Sequence, residues 1–203
     1  VTHHRDEFAN ADRIIRLDNG RIVQSARGNT ASIPEMDESG TAQEDNPIAK
    51  SNIANGASKP ASAVPIIEIH NLIYQYPNSS KPVLDKLSIT INEGETVAIT
   101  GHNGAGKTTL VRLLCALEQP QSGSITVNTI PVARQRANGN MQSLKRADRE
   151  KLRATIGYVM QHPERQLFAE TVAEDVAYGP RNQRLDEAQV DEHVSQAMAL
   201  LHI

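Results

Sequence analysis

Aromatic residues, cysteine and long apolar runs are all scarce in this chain of 203 residues. It contains no tryptophan, two phenylalanines, four tyrosines and one cysteine, Cys115. A single cysteine excludes an internal disulfide framework, and its position among leucines predicts that Cys115 is part of the core. No run of about 18 apolar residues occurs, so we do not expect the chain itself to span a membrane. The formal net charge of −3 gives no indication of nucleic-acid binding.

Glycine, by contrast, is concentrated in one stretch, Gly101–Thr109, which reads GHNGAGKTT. The stretch fits the pattern G-x-x-x-x-G-K-[ST] and lies between two apolar runs, Thr96–Thr100 and Leu110–Leu117. A strand, a glycine-rich turn and a helix form the setting that a phosphate-binding loop requires. Successive backbone N–H groups and the positive end of the helix can face phosphate oxygens, and glycine allows their close approach. The stretch therefore predicts a site for a nucleoside triphosphate, and a chance match to the pattern is the alternative.

Two side chains of this loop carry specific predicted roles. Lys107 is expected to reach the β- and γ-phosphates, and Thr108 is expected to place its hydroxyl on a magnesium ion. The other residues of the stretch are expected to surround the phosphates with their backbone groups. The predicted nucleotide-binding residues of the loop are Gly101, His102, Asn103, Gly104, Ala105, Gly106, Lys107, Thr108 and Thr109.

The flanks of the loop resemble the nucleotide-binding domain of ABC transporters, from about residue 66 to the last residue. The resemblance is carried by Ile66–Pro77, Val83–Glu95 and Ile156–Pro163. The segment Gln161–Pro180 is similar to one group within this family, the ATPases of energy-coupling-factor importers, which take up vitamins and transition-metal ions. The resemblance implies an α/β P-loop NTPase of the ABC type, with ATP and Mg²⁺ as cofactors. Its sheet would be mixed, with an antiparallel β subdomain, and would be followed by the start of a helical subdomain.

Three residues outside the loop match functional positions of this family. Tyr76 matches the aromatic residue that stacks on the adenine ring, although it could be an ordinary strand tyrosine. Gln161 matches the glutamine that contacts magnesium and the attacking water; the alternative is a surface glutamine after a strand. His3 matches the switch histidine that hydrogen-bonds the γ-phosphate; the alternative is an exposed histidine at a frayed terminus. The resemblance thus implies Lys107, Gln161 and His3 as catalytic residues, and Thr108 and Gln161 as ligands of magnesium.

The beginning of the chain resembles the closing section of the same kind of ATPase domain. Thr2–His3 and Ala11–Ile15 carry this match, and Asn19–Gly20 is a strong hairpin signal between short apolar strands. The chain is therefore expected to be a fragment of a longer tandem protein, with His3 belonging to the site of a first domain. The expected parts are the end of a first ABC ATPase domain (1–26), a flexible linker (27–65) and the N-terminal part of a second ABC ATPase domain that stops before the signature motif (66–203).

The predicted linker is rich in alanine, serine, asparagine, glycine and proline, and it contains no aromatic residue. Such a composition cannot bury enough apolar surface to offset the entropy of ordering the chain, so we expect disorder. A tether of this kind would raise the effective concentration of one domain near the other.

The resemblance implies an ATP-binding subunit of an importer, peripheral to the cytoplasmic face of the cell membrane. It would couple ATP binding and hydrolysis to the uptake of a vitamin or a metal ion, although this fragment alone is expected to be inactive. Transmembrane subunits are expected to bind Pro163–Phe168, where Leu167 and Phe168 could equally be local core. The second partner would be another ABC ATPase domain, in the same chain or in a homologous subunit. The alternatives are a soluble tandem ABC protein that acts on ribosomes and a non-catalytic nucleotide-binding remnant.

Further patterns predict the elements around the loop. Short strands before Gly94 are expected to be antiparallel, the loop strand is expected inside a largely parallel sheet, and Ser122–Asn128 reads as a turn and a strand. Thr171 and Glu174 are spaced as a capping box. The last predicted helix carries an apolar stripe at helical spacing, formed by Val190, Val194, Met198 and Leu201.

Residues 129–149 depart from the family pattern, because the connection is longer than usual and strongly basic. Asp148 is its only acid. One interpretation is a solvated insertion, and the other is a contact with anionic lipid or with a loop of a partner protein. The basic residues of this segment are Arg134, Arg136, Lys145, Arg146 and Arg149.

Overall fold

The computed structural model describes residues 11–27 and 64–203. The predicted switch histidine, His3, and nearly all of the predicted linker lie outside these ranges. Within them, no helix combines the length and the apolar character needed to cross a membrane.

The strands are β1 (Arg13–Asp18), β2 (Arg21–Arg27), β3 (Pro65–Tyr74), β4 (Leu84–Asn92), β5 (Val97–Thr100), β6 (Ser122–Val127), β7 (Ile130–Gln135) and β8 (Met141–Gln142). The helices are α1 (Lys107–Leu114), α2 (Arg146–Thr155), α3 (Val172–Asn182) and α4 (Glu187–Leu201), with a 3₁₀ turn at Pro163–Gln166.

Five strands form an antiparallel sheet in the order β4-β3-β6-β7-β8, which confirms the predicted antiparallel subdomain. Apolar and polar residues alternate along β4, as expected for a strand with one face on the core. The apolar face of this sheet packs against the helix that follows the glycine-rich loop. The buried residues of this common core include Ile69, Leu72, Leu84, Leu87, Leu110, Leu113 and Ile125.

A second, three-stranded sheet has the order β2-β1-β5. The predicted Asn19–Gly20 turn joins β1 to β2 as an antiparallel hairpin, and both turn residues have positive φ angles, 46° and 75°. Positive φ at both positions is what a tight two-residue hairpin requires. On its other side, β1 runs parallel to β5, with Arg13 opposite Val97 and Arg16 opposite Thr100.

The strand before the glycine-rich loop therefore has one parallel neighbour among the described residues, which is β1. We expected this strand inside a largely parallel sheet, and it instead lies at the edge of a mixed one. All four residues of β5 are half-buried. The segment that supplies β1 is the one predicted to end a first ATPase domain, so both parts of the chain contribute to one sheet.

The β1–β2 hairpin is also packed against the beginning of β4. Asp85 donates its backbone N–H to the Gly20 carbonyl at 3.1 Å, and its carboxylate forms an ion pair with Arg21. A Cβ atom added at Gly20 would lie 2.2 Å from the Val83 carbonyl oxygen. Leu17, beside the turn, is fully buried. The hairpin is thus anchored by backbone contact, by charge and by an apolar side chain.

Helix α3 begins with the predicted cap. The Thr171 hydroxyl accepts a hydrogen bond from the Glu174 N–H at 3.2 Å and donates one to the Glu174 carboxylate at 3.0 Å. In the predicted capping box, the Glu174 carboxylate would have accepted the backbone N–H of Thr171 instead. A complete capping box, which the sequence analysis missed, begins α4: Asp186 accepts from the Gln189 N–H, and Gln189 accepts from the Asp186 N–H.

The apolar stripe of α4 is confirmed over most of its length. Val190 is fully buried, and Val194 and Met198 are half-buried. Leu201, the last residue of the helix, is 68% exposed, so its predicted place in the packing is wrong. Within the described part of the chain, no further element covers the C-terminal end of α4.

Two other predictions of local structure need correction. Gln161 was expected to follow a strand, but the preceding residues 156–160 make no sheet pairing, and Val159 is 75% exposed. The described residues place no strand beside them, and a single strand cannot satisfy its own backbone groups. The basic segment 129–149 is not simply a solvated insertion, because it contains β7 and β8 and enters α2. Val132 and Ala133 are buried in the sheet, whereas the five basic side chains are exposed.

Replacement of Gly20 by alanine tests the docking of the hairpin, and Gly94 is its matched control. Both glycines have left-handed φ angles, 75° and 72°, but a Cβ at Gly94 would meet no atom within 4 Å. Gly94→Ala should lower the free energy of unfolding by about 1 kcal/mol from backbone strain alone. Gly20→Ala should cost about 3 kcal/mol, because the methyl group also displaces the Val83 peptide. Urea unfolding measures both values, and equal costs would show that the hairpin does not pack against Val83.

Candidate functional site

The glycine-rich loop, residues 101–106, connects the end of β5 to the first residue of α1 and packs tightly on its inner side. A Cβ at Gly101, whose φ is 144°, would lie 2.3 Å from the Leu17 carbonyl oxygen. A Cβ at Gly106 would lie 2.7 Å from a methyl carbon of Leu84. Gly104, in contrast, has a φ of 86° and faces open space. The loop therefore needs glycine on one side to sit against the two sheets, and it leaves the other side free for a ligand.

The Lys107 ammonium lies over the loop and is hydrogen-bonded to the loop's own backbone. Its Nζ atom donates to the Gly101 carbonyl at 2.6 Å and to the His102 carbonyl at 2.9 Å. The Ala105 N–H donates to the same His102 carbonyl at 3.2 Å. The Lys107 ammonium is thus held at the loop by neutral carbonyl oxygens, and the anionic oxygens of a phosphate group can replace them.

The first turn of α1 fits a polyphosphate group. Its N-cap residue is Gly106, which offers no side-chain acceptor, and the first turn contains no acidic residue. The backbone N–H groups there have no side-chain partner, and the helix dipole adds partial positive charge at the same point. Together with Lys107 and the open space at Gly104, this end of the helix has the donor set that binds phosphate.

The predicted magnesium ligands are exposed and separate in this structure. Thr108 lies in the first turn of α1, and Gln161 lies in the bend before the 3₁₀ turn. Neither side chain makes a hydrogen bond to the other. A hydroxyl and an amide oxygen are hard donors that suit Mg²⁺, which keeps most of its coordination for water and substrate phosphates. No group of three or more histidine, cysteine or acidic residues is arranged for a metal within residues 11–27 and 64–203.

Tyr76 lies beside the same helix. Its hydroxyl is 3.1 Å from the Thr109 hydroxyl, and its ring meets the Tyr74 ring edge-on with centroids 4.9 Å apart. Thr109 is buried, whereas 37% of Tyr76 is exposed. The aromatic face predicted to stack on a base is therefore held next to the P-loop helix, and its stacking role stays a prediction.

A polar network that the sequence analysis missed joins β3 to the end of α1. The Tyr74 hydroxyl donates to Glu118 at 2.9 Å, and Arg112 donates to the other oxygen of that carboxylate at 2.9 Å. Burial and the Glu118 carboxylate raise the pKa of Tyr74 to about 12. The hydrogen bond from Arg112, followed by that from Tyr74, lowers the pKa of Glu118. Burial also raises the pKa of the Cys115 thiol, which is half-buried at the C-cap of α1.

The segment that follows Gln161 presents apolar side chains to solvent. Leu167 and Phe168 are 69% and 65% exposed, so the alternative that they are local core is wrong. Phe168 packs edge-on against Tyr178 of α3, which is itself 53% exposed. The Asp175 carboxylate accepts the backbone N–H of Phe168 at 3.2 Å and fixes the segment to α3.

The structure therefore brings together the loop, Tyr76 and the β1–β2 hairpin, and Gln161 makes no hydrogen bond to any of them. His3 lies outside the described residues. The hairpin contributes a residue that the sequence analysis did not consider: Asp18, whose carboxylate is 2.9 Å from Nε2 of His102. The Asn19–Gly20 signal predicted the turn beside it, but no pattern in the sequence indicated what the turn would touch.

The strand β5, the glycine-rich loop and α1 define a protein of the P-loop NTPase fold. The family model for ABC transporters matches residues 84–203, which is more than half of the chain. The chain therefore belongs to the ABC transporter family, as part of its ATP-binding domain.

Curated relatives agree with this assignment. A Bifidobacterium longum protein named as an ABC transporter ATP-binding protein is 44% identical over 227 aligned residues, covering all of this chain and 29% of that protein. The energy-coupling factor transporter ATP-binding protein EcfA2 of Clostridium acetobutylicum is 38% identical over 66% of this chain and 45% of its own length. The cobalt import ATP-binding protein CbiO of Syntrophus aciditrophicus is 35% identical over 67% of this chain and 45% of its own. This chain thus spans less than half of each of these relatives.

Solved structures give the same fold. CbiO1 of Clostridium perfringens, part of the ABC transporter complex CbiONQ, superposes with a TM-score of 0.56 at 32% identity, over 67% of this chain and 50% of that one. A dimeric ATP-binding cassette bound to ADP and Pi superposes with a TM-score of 0.53 over 68% of this chain and 57% of that one. Its identity is 19%, so it supports the fold alone.

Replacement of Tyr74 by phenylalanine tests the network at the end of α1. The folded state holds the Tyr74 proton to about pH 12, whereas the reference pKa is 10.0, so between these values the native state binds more protons than the unfolded state. Stability should therefore fall as the pH rises from 10 to about 12, and Tyr74→Phe should lose this part of the decline. Phenolate absorbance and chemical unfolding against pH measure the two effects. An unchanged titration in the variant would contradict the assignment.

Proposed function

We propose that this chain is part of an ATP-binding subunit of an importer that takes up a vitamin or a metal ion. The names of the EcfA2 and CbiO relatives support this class of transporter. The observation that carries the proposal is the loop itself, where Lys107 and the uncapped first turn of α1 converge on open space at Gly104. Tight inner packing and an open outer side suit a site that binds a polyphosphate and releases it again.

The residues of this chain would act by positioning and by charge. Lys107 would leave the Gly101 and His102 carbonyls and place its ammonium between the β- and γ-phosphates of ATP. Tyr76 would lie against the adenine ring. Thr108 and Gln161 would hold Mg²⁺, which supplies neutralisation of charge on the phosphate oxygens when it is bound. The Gln161 side chain is exposed and has no hydrogen-bond partner among the described residues, so its amide is available for this role.

We further propose a tandem organisation, in which residues 1–26 end a first ABC ATPase domain and residues 66–203 begin a second, joined by a linker at 27–65. His3 would then serve the γ-phosphate in the site of the first domain. The two domains would enclose ATP between them, each offering a P-loop to the signature motif of the other.

The surface that would receive the membrane partner is the apolar patch at Leu167, Phe168 and Tyr178. Leu167, Phe168 and Tyr178 are each more than half exposed, and the rings of Phe168 and Tyr178 are in contact, which gives a patch of the kind that marks an interface. The patch lies a few residues after Gln161. A protein bound at the patch would therefore be coupled to the bend at Gln161, which is proposed to contact Mg²⁺. We infer that transmembrane subunits bind at Pro163–Phe168, which would place the protein at the cytoplasmic face of the membrane.

Replacement of Lys107 by alanine tests the nucleotide site. Loss of the ammonium removes charge-assisted hydrogen bonds to phosphate, so ATP should bind about 10- to 100-fold more weakly. Lys151→Ala is the matched control, because this exposed lysine of α2 lies outside the loop. Calorimetric titration with ATP and Mg²⁺ measures the affinities. Equal affinities of the two variants would argue against the P-loop as the binding site.

Replacement of Phe168 by serine tests the partner surface in cells that produce the whole protein. The variant should be largely lost from washed membranes, since the apolar contact with the transmembrane partner is removed, while its affinity for ATP should not change. Leu200→Ser is the control, because Leu200 is 81% exposed but lies on α4, outside the patch. Membrane recovery that is the same for both variants would place the partner surface elsewhere.

A further inference from the structure

His102, inside the phosphate loop, has both ring nitrogens against hydrogen-bond acceptors. Nδ1 lies 2.6 Å from the Asn103 carbonyl oxygen, and Nε2 lies 2.9 Å from Oδ1 of Asp18. A carbonyl oxygen and an ionised carboxylate can only accept hydrogen bonds. Both contacts are therefore complete only when each ring nitrogen carries a proton, which makes the ring an imidazolium cation.

Asp18 is held in place by the hairpin rather than by the loop. It is the last residue of β1, and the Asn19 amide donates to the same carboxylate oxygen at 3.3 Å. The turn beside it is anchored on β4 by the Gly20 contacts and by the ion pair of Arg21 with Asp85. The carboxylate thus reaches the loop from a separate, anchored element.

The backbone of His102 is the part of the loop that binds the lysine. Its carbonyl accepts both the Lys107 ammonium and the Ala105 N–H, at 2.9 and 3.2 Å. The ring of His102 is fixed by Asp18, and its peptide group organises the loop around Lys107. The charged groups that face this residue in the described structure are Asp18 from β1 and Lys107 from α1.

We propose that Asp18 is a positioning residue for the phosphate loop and acts through the ring of His102. The contact holds peptides 101–103 in a shape ready for phosphate, so less ordering has to occur when ATP binds. This inference rests on the ATP-binding role proposed above.

Asp18→Ala and Asp18→Asn should weaken ATP binding to different degrees. Both side chains of the pair are about half-exposed, at 48% for His102 and 46% for Asp18, so the effect is that of a solvent-screened contact. We expect about three- to fivefold weaker binding for Asp18→Ala, and a smaller loss for Asp18→Asn, which keeps an acceptor for Nε2. Glu150→Ala is the control, because it breaks an exposed ion pair with Arg146 on α2 and touches neither His102 nor the hairpin. It should leave ATP affinity unchanged.

The conservative variant separates positioning from general destabilisation, because Asp18→Asn keeps the hydrogen-bond acceptor for Nε2 and should recover most of the ATP affinity that Asp18→Ala loses. Equal losses in Asp18→Ala and Asp18→Asn, or an equal loss of affinity in the control variant, would overturn the proposal.

The protonation of His102 can be observed without nucleotide. In the 203-residue chain, the ¹⁵N signals of this ring should shift in Asp18→Ala, because the contact between Nε2 and the Asp18 carboxylate is lost. Ring signals that do not respond to Asp18→Ala would overturn the inference by themselves. If instead Lys107→Ala binds ATP normally while the ring responds to Asp18→Ala, the proposed nucleotide site fails and the Asp18 contact remains.

Discussion

The backbone contact between Leu17 and Gly101 is the constraint on which the rest of the site depends. The Leu17 carbonyl oxygen occupies the space that any side chain at position 101 would need. This approach is possible because β1 and β5 run parallel and in register up to the residue before the loop. The contact sets where the glycine-rich loop starts, and α1 then begins at Lys107, six residues later. The position of the lysine and of the first-turn amides therefore follows from how two strands are paired.

From that starting point, charge distribution explains what the loop can bind. Phosphate-binding capacity here comes from a lysine, from unpartnered backbone amides and from the helix dipole, with no carboxylate in the first turn of α1. The acid that contacts the loop, Asp18 at the end of β1, has His102 as its partner. At the other end of α1, Glu118 is occupied by Arg112 and Tyr74. Both acidic side chains that contact the loop or α1 are thus paired. The N-terminus of α1, which carries partial positive charge, faces solvent with no unpaired carboxylate beside it.

The two surfaces of functional interest differ in how firmly they are held. The loop rests on two sheets with fully buried side chains such as Leu17 and Leu84 beneath it. The apolar patch at Phe168 is held by two backbone hydrogen bonds to Asp175 and by a single ring contact. Fewer buried contacts mean a lower local stability, which suits a segment that has to adapt to a partner.

The sequence by itself determined the features that depend on local chemistry. The positions of the glycines and Lys107 predicted the phosphate loop, Asn19–Gly20 predicted the hairpin, and Thr171 with Glu174 predicted the start of α3, because each is set by residues a few positions apart. Tertiary structure decided which distant elements meet. The pairing of β1 with β5, the contact of Asp18 with His102 and the network around Glu118 join residues 44 to 84 positions apart in the chain. It also left residues 156–160 without a strand partner and Leu201 exposed. Such outcomes depend on which elements share a sheet and which faces they cover, and neither local propensity nor residue pattern contains that information.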